Sequence, residues 1–319
     1  MRIGFDCSVL ARPHPPGVVR VARESLLELE RRAVLEVVRL APAPEASLRA
    51  WRQRELPRAA RELDGLHSFV SSFPLRCPVA CIPTLHELPW RQGERENSDW
   101  RHRFWALWGP LRAARVITPS EFTRAGLGRL ASRAAVIPWG VSPHFTEDAR
   151  VPRERRVLVP GGARPKKQAQ ALLPALARLG GWTLAVTGAE QDWTKALADR
   201  ARSQRVAFEF LGELDELELL REYQRASAVA MLARSEGFGL PVLEALACAT
   251  HVLVPPQSAQ AEVGGSAAER VVREDLPSLC AALERCAQRP NALGPARAAE
   301  FRWERTAAGI EQLWKEVLA

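Results

Sequence analysis

The chain alternates short, mostly apolar runs with longer stretches in which apolar residues return every three or four positions. The first kind reads as buried strands and the second as amphipathic helices. RIGFDCSVL opens as a strand led by Ile3 and Phe5, and a proline-rich loop from Pro13 to Pro16 follows, then Gly17. VVRVARESLLELERR then places Val18, Val21, Leu26 and Leu29 on one helix face. VLEVVRLAP, GLHSFVSS and VACIPTLHE predict further strands, Trp100 to Ala114 a helix, and ARVITPS another strand. Ser120 caps a helix beginning EFTRAGL, with an acid in its first turn, and AAVIPWGV closes this half as a strand. The polar stretch from Pro143 to Arg156 predicts a linker. Beyond it the theme repeats. RRVLVPGG, WTLAVTGAE, VAFEFLGEL, SAVAMLAR and HVLVPP read as strands. QAQALLPALARLG, starting near Gln168, ELELLREYQRA and LPVLEALACA read as helices, and FRWERTAAGIEQLWKEVLA as a terminal amphipathic helix. Strands alternating with helices predict parallel sheets covered on both faces, with sites at the carboxyl ends of the strands.

Composition narrows this picture. A length of 319 residues suits two domains, and 47% hydrophobic with 26% charged residues excludes a mainly disordered chain. No run of 18 apolar residues occurs, and MRIGFDCSVLARPHPPG does not read as a signal peptide, so a cytoplasmic location is expected. The net charge of +8 suits an anionic partner such as a nucleotide, a phosphate, a nucleic acid or an acidic membrane surface. The basic residues are nearly all arginines scattered among alanine and proline, so a solvated basic surface is the plainer reading. Neither zinc-finger spacing nor an RNA-binding aromatic signature is present, and no nucleic-acid partner is expected. The scattered cysteines, six in all, read as free buried thiols, and Cys77 and Cys81 lack companions at zinc-ligand spacing.

The sharpest segment runs from Ser235 to Ala245, SEGFGLPVLEA. It follows a buried strand and opens a helix. Gly237 and Gly239 allow close backbone approach, and Pro241 suits a first helical turn, whose unbonded N–H groups can hold a phosphate. Glu236 and Glu244 can accept hydrogen bonds from sugar or ribose hydroxyls. The second segment is PGGARPKKQAQALLPAL. Only four lysines occur in the chain, and Lys166 and Lys167 stand side by side here. At a helix start an unpaired basic pair opposes the dipole, which argues for an anion nearby.

These segments resemble the donor site of retaining family-4 glycosyltransferases of the GT-B fold (glycosyl transferases group 1). The resemblance implies two doubly wound Rossmann-like domains facing across a cleft. Residues 1–150 would form the acceptor-side domain, 151–298 the nucleotide-sugar domain, and 299–319 a helix returning to the first. It implies that Glu236 holds donor-sugar hydroxyls, that Glu244 holds the ribose, and that the backbone near Gly239 and Leu240, beside Phe238, faces the diphosphate. Lys167 matches the family's diphosphate lysine, and either Arg164 or Lys166 fills the place of its basic partner. Leu214 would sit beside the base, Gly17 would admit the donor phosphate, and His86, after the VACIPTLHE strand, would bond the sugar or shuttle a proton. Trp139 replaces the usual Asn in PWGV, so no role is carried over to it.

The implied activity is retaining transfer of a sugar from a nucleotide-diphosphate donor to a glycan or lipid-linked acceptor, in glycan or glycoconjugate biosynthesis. With no Asp-x-Asp pair, a metal is not expected on the diphosphate, and no cofactor is expected beyond the donor itself. The rival readings are a silent sugar-nucleotide-binding scaffold and a nucleotide-sugar epimerase. A further possibility is peripheral contact with the inner face of a membrane. The helix around Trp100, Phe104, Trp105 and Trp108, with Arg101, Arg103, Arg112 and Arg115, reads as an ordinary packed helix or as one that touches an anionic bilayer.

Overall fold

The computed structural model describes every residue except Arg95 and Asn97. It divides into two units: Met1–Arg91, Arg95–Gly140 and Arg302–Ala319 form the first, and Gln92–Glu94 with Val141–Phe301 form the second.

In the first unit, strands β1 (Arg2–Asp6), β2 (Glu36–Leu40), β3 (Gly65–Ser68) and β4 (Ala80–Pro83) make a parallel sheet in the order β2-β1-β3-β4. The pair β5 (Val116–Thr118) and β6 (Ala134–Val136) continues it through a parallel bridge between Thr84 and Ile117. β1, β3 and β4 are buried along nearly their whole length, as central parallel strands are, whereas β2 is a half-exposed edge. The helix Pro16–Arg32 packs against the terminal helix Trp303–Leu318. Arg32 clamps the buried Glu311 with two bonds of 2.9 and 2.8 Å. Trp314 is fully buried, and its Nε1–H donates to His67 Nδ1 at 3.4 Å. A Cβ on Gly65 would stand 2.2 Å from the Trp314 ring, so only glycine lets this helix lie on β3. His67 is a core histidine, pushed down to about 3 by burial and hence neutral.

In the second unit, β7 (Glu154–Val159), β8 (Thr183–Thr187), β9 (Ala207–Gly212), β10 (Ala226–Ala230), β11 (His251–Val254) and β12 (Ala268–Arg270) form one parallel sheet. Its order is β12-β11-β10-β7-β8-β9. The chain winds outward from β7 to β9, returns to the middle at β10 and winds outward on the other side, which is the Rossmann order. The helices Asp192–Ser203 and Leu276–Gln288 also belong to this unit and lie outside the periodic stretches read above.

Three sequence expectations change. The division falls at Gly140/Val141, ahead of the polar run, because residues 141–150 pack on the second unit: Phe145 meets Tyr223 edge-on at 5.8 Å, and Gln224 donates to the Thr146 carbonyl at 2.9 Å. The end of the expected linker is strand. Arg156 is buried on β7, its charge met by Glu209 at 2.5 Å and Glu222 at 3.0 Å. The helix expected from Gln168 starts at Leu173. Pro165–Lys167 and Ala169–Leu172 are separate 3-10 turns joined by Gln168 at φ 59°. Pro174 has no N–H to bond backwards, so it fits the first turn of a helix but not the interior of one running from Gln168.

Candidate functional site

The carboxyl ends of β7 and β10 are neighbours at the centre of the second sheet, where its winding reverses. Loops leaving two such strands diverge to opposite faces and open a crevice. The loop after β7 carries Gly161, Gly162, Arg164, Lys166 and Lys167, and the loop after β10 carries Ser235 to Gly239. The two meet at Lys167, whose Nζ donates to Glu236 Oε1 at 2.6 Å.

Local backbone chemistry makes this contact possible. Gly161 and Gly162 take φ of 89° and 95°, a region closed to most residues. A Cβ on Gly161 would press within 3.2 Å of Lys167 Cε, so the lysine stem crosses the strand end where glycine leaves room. On the other loop Gly239, at φ 101°, turns the chain into the helix Leu240–Ala247, with Pro241 in its first turn. The first N–H groups of a helix have no helical acceptors, and they aim the positive end of the dipole into the crevice.

The lysine pair is therefore not at a helix start, as the sequence led us to expect, but on a short turn of its own. The anion that its charge calls for is Glu236. Burial alone would push the Glu236 carboxyl up. The Lys167 ammonium, helped by Lys166 and Arg164, outweighs burial and holds it below the usual carboxylate range. Lys166 is itself buried and Arg164 half-buried, so both basic groups act on the same carboxylate.

Glu244 lies one turn into the helix and is buried, and its Oε2 accepts from the Tyr223 hydroxyl at 2.8 Å. Sequence reasoning missed Tyr223. The available signal was that it is the only tyrosine of the chain, on the helix Glu216–Arg225 that precedes β10. Tyr223→Phe should leave that carboxyl oxygen without its donor and cost about 1–3 kcal/mol in urea unfolding.

The remaining expected residues are more dispersed. Phe238 is buried against Phe301, with ring centroids 5.9 Å apart, and Leu240 is buried beside it in the chain. Leu214 is half-buried in the turn after β9. The neighbouring Asp215 is committed to capping the next helix, accepting from Leu217 and Glu218 N–H groups at 2.8 Å. Gly17 and His86 belong to the first unit. Gly17 is in the first turn of the helix Pro16–Arg32, and a Cβ there would meet open space. His86 follows β4. Its Nε2 lies 2.7 Å from the Phe69 carbonyl, which can only accept, so Nε2 carries the hydrogen. Burial lowers its pKa, so the ring is neutral and Nδ1 is its remaining acceptor. The buried Trp139 stands against this ring at 5.9 Å, a wall that the sequence did not disclose.

The family model "Glycosyl transferases group 1" matches residues 144–274. That stretch holds both loops and every residue of the crevice. Residues 144–274 thus resemble the glycosyl transferases group 1 family. Over 143 residues the chain is 34% identical to a glycogen synthase of Mycobacterium tuberculosis, covering 41% of this chain and 34% of that protein. A lipopolysaccharide core biosynthesis mannosyltransferase, LpcC, of Rhizobium leguminosarum bv. viciae is 30% identical over 165 residues, 47% of this chain and 46% of that one. The chain thus matches between a third and a half of the length of these curated relatives. Over the full length, the fold is that of GT-B glycosyltransferases. Anabaena Alr3699/HepE, solved in complex with UDP and glucose, superposes with a TM-score of 0.77 over 99% of both chains at 15% identity. The matched stretch coincides with the Rossmann-ordered sheet, so the matching segment and the switch-point crevice are the same part of the molecule. Among the described residues, no helix is long and apolar enough to cross a membrane.

Proposed function

We propose that the protein is a retaining, metal-independent glycosyltransferase that moves a sugar from a nucleotide-diphosphate donor to an acceptor hydroxyl in glycan or glycoconjugate biosynthesis. The observation that carries this reading is the Lys167–Glu236 contact at the switch point of the second sheet, 2.6 Å long and beside a helix N-terminus. One loop offers positive charge and the other an ionised carboxylate, as a diphosphate joined to a polyhydroxylated ring requires. Similarity to a glycogen synthase and a mannosyltransferase, and to a fold solved with UDP and glucose, supports the same assignment.

In this reading the donor diphosphate draws Lys167 away from Glu236. The lysine, a second basic group from Arg164 or Lys166, and the N–H groups at Gly239 and Leu240 then stabilise the negative charge that grows as the sugar departs. Glu236, freed of its partner but still ionised, accepts hydroxyls of the sugar, and Glu244, fixed by Tyr223, accepts those of the ribose. The bond from the anomeric carbon to the diphosphate oxygen breaks, and the electron pair leaves with the diphosphate. The acceptor oxygen bonds to the same face of that carbon, and its proton passes to the departing phosphate oxygen. His86, neutral and already donating from Nε2, serves this scheme as an acceptor at Nδ1 rather than as a proton shuttle.

The test is a thermal-shift screen of the full chain against nucleoside diphosphates and their sugars, followed by product analysis. A tight donor raises the melting temperature by mass action. The stereochemistry of the product, read by NMR, decides retention, and an inverted product would sink the same-face mechanism. Binding of a nucleotide sugar without any transfer or hydrolysis would instead indicate the silent scaffold.

A further inference from the structure

The helix Trp100–Arg112 in the first unit carries apolar residues on two faces. Its inward face holds Ala106, Gly109 and Pro110, which are buried, with Trp105 and Trp108 half-buried against the Phe73 ring at 5.5 and 6.0 Å. A second set of large apolar residues points outward. Trp100 is 72% exposed, Phe104 39%, Leu107 43% and Leu111 61%. Spacings of four, three and four residues line these side chains into one stripe along the helix. Arginine flanks the stripe on both sides. With 3.6 residues per turn, Arg103 falls on one side and Arg101 and Arg112 on the other. Arg101 lies over the Trp100 ring at 5.5 Å and Arg112 over the Trp108 ring at 5.9 Å, so the stems lie along the aromatic surface. No residue of the helix is acidic. Beyond its C-terminal end the surface continues into an open cavity of about 410 Å³ that is lined by Leu75, Arg76 and Arg112 among others, and Leu75 is itself exposed.

We propose that this face docks on an anionic lipid bilayer, with the helix lying in the plane of the headgroups. A stripe of tryptophan, phenylalanine and leucine buries in the boundary region, while arginines on either flank meet the phosphates. Charge selects this occupant. A second copy of the chain, packed by twofold symmetry, would bring the same acid-free, arginine-flanked helix against itself, like charge on like charge. An acidic bilayer supplies negative charge on both sides of the stripe at once. The inference stands on the first unit alone and does not depend on the sugar-transfer reading.

The experiment is co-sedimentation of the full chain with vesicles of phosphatidylcholine alone and of phosphatidylcholine mixed with phosphatidylglycerol, at low and high salt. The protein should pellet with the mixed vesicles, far less with the neutral ones, and less again as salt rises. Trp100→Ser combined with Leu111→Ser should reduce that partition by about tenfold or more, because the exposed apolar area that drives insertion is removed. Both side chains are exposed, so the melting temperature of this variant should match the wild type, which separates loss of docking from loss of fold. Arg101→Gln and Arg103→Gln should each weaken it by about fivefold. Equal pelleting of the double serine variant, equal affinity for both vesicles, or no pelleting at all would overturn the proposal. So would a dimer that Trp100→Ser dissolves in a protein that ignores vesicles.

Discussion

Lys167→Ala should lower kcat by about a hundred- to a thousandfold, the usual loss when one preorganised group facing transition-state charge is removed. The lysine does two things at once, and the variant separates them. Toward a donor it supplies a positive charge for the leaving diphosphate, and that loss appears in kcat and in a smaller thermal shift with nucleoside diphosphate. Toward the protein it neutralises Glu236. Without it, burial, the largest influence on that carboxyl, is opposed only by Lys166 and Arg164, and the pKa of Glu236 moves upward. The sign of the pH effect follows. In the wild type the Glu236 pKa is depressed, so the carboxylate stays ionised down to below its ordinary 4.5, and the acid limb of kcat/KM lies in that low range. In Lys167→Ala the acid limb of the residual activity should shift to higher pH. The pair's contribution to stability obeys the same rule: it is present above the unfolded value and lost as pH falls through the lower folded one. A Glu236→Gln, Lys167→Ala double-mutant cycle measures the coupling. Wild-type turnover in Lys167→Ala, with an unmoved acid limb, would remove Lys167 from the chemistry.

Much of this site is readable before folding, because its turns are local chemistry. Gly239 followed by Leu240 and Pro241 marks a left-handed residue and then a helix start, and the structure has both. What no local rule reveals is which distant groups meet. Lys167 and Glu236 are 69 residues apart, and only the reversal of winding between β7 and β10 makes them neighbours. Charge misleads in the other direction. Arg155 and Arg156 fall both at the end of the polar stretch read as a linker and at the start of the run read as a strand; the strand reading holds, and Arg156 is buried because Glu209 and Glu222 arrive from elsewhere in the sheet and its covering helix. Periodicity has its own blind spot. The helix Trp100–Arg112 shows where its apolar stripe runs, but a 3.6-residue repeat does not say which side faces the core. Here Ala106, Gly109 and Pro110 face inward together with the half-buried Trp105 and Trp108. In Asp192–Ser203, only Leu197, Ala201 and Thr194 are buried while Trp193 is half exposed, so the stripe is too thin to read.

The second large effect is on stability and concerns the terminal helix. Trp314→Ala should destabilise the first unit by about 3–5 kcal/mol, since it empties a fully buried indole site. A drop in melting temperature on the order of 10 °C is expected. The loss falls at a seam between distant parts of the chain: Trp314 lies over Gly65 on β3, bonds His67, and holds Trp303–Leu318 against Pro16–Arg32. The companion substitution makes the argument specific. Gly65→Ala in the wild type drives a methyl to 2.2 Å from the indole and should cost about 1–3 kcal/mol as overpacking. In the Trp314→Ala background the same methyl enters vacated space, and the added cost should fall to near zero or reverse. Calorimetry of the four proteins measures this coupling. Additive losses would mean that glycine at 65 serves the backbone of β3 and not the passage of Trp314. Strong coupling would mean that the last sixteen-residue helix, Trp303–Leu318, is an integral layer of the first unit. Truncating it would then unfold the sheet that carries His86 and leave the second unit's Lys167–Glu236 crevice intact, which nucleotide binding by the truncated chain would report.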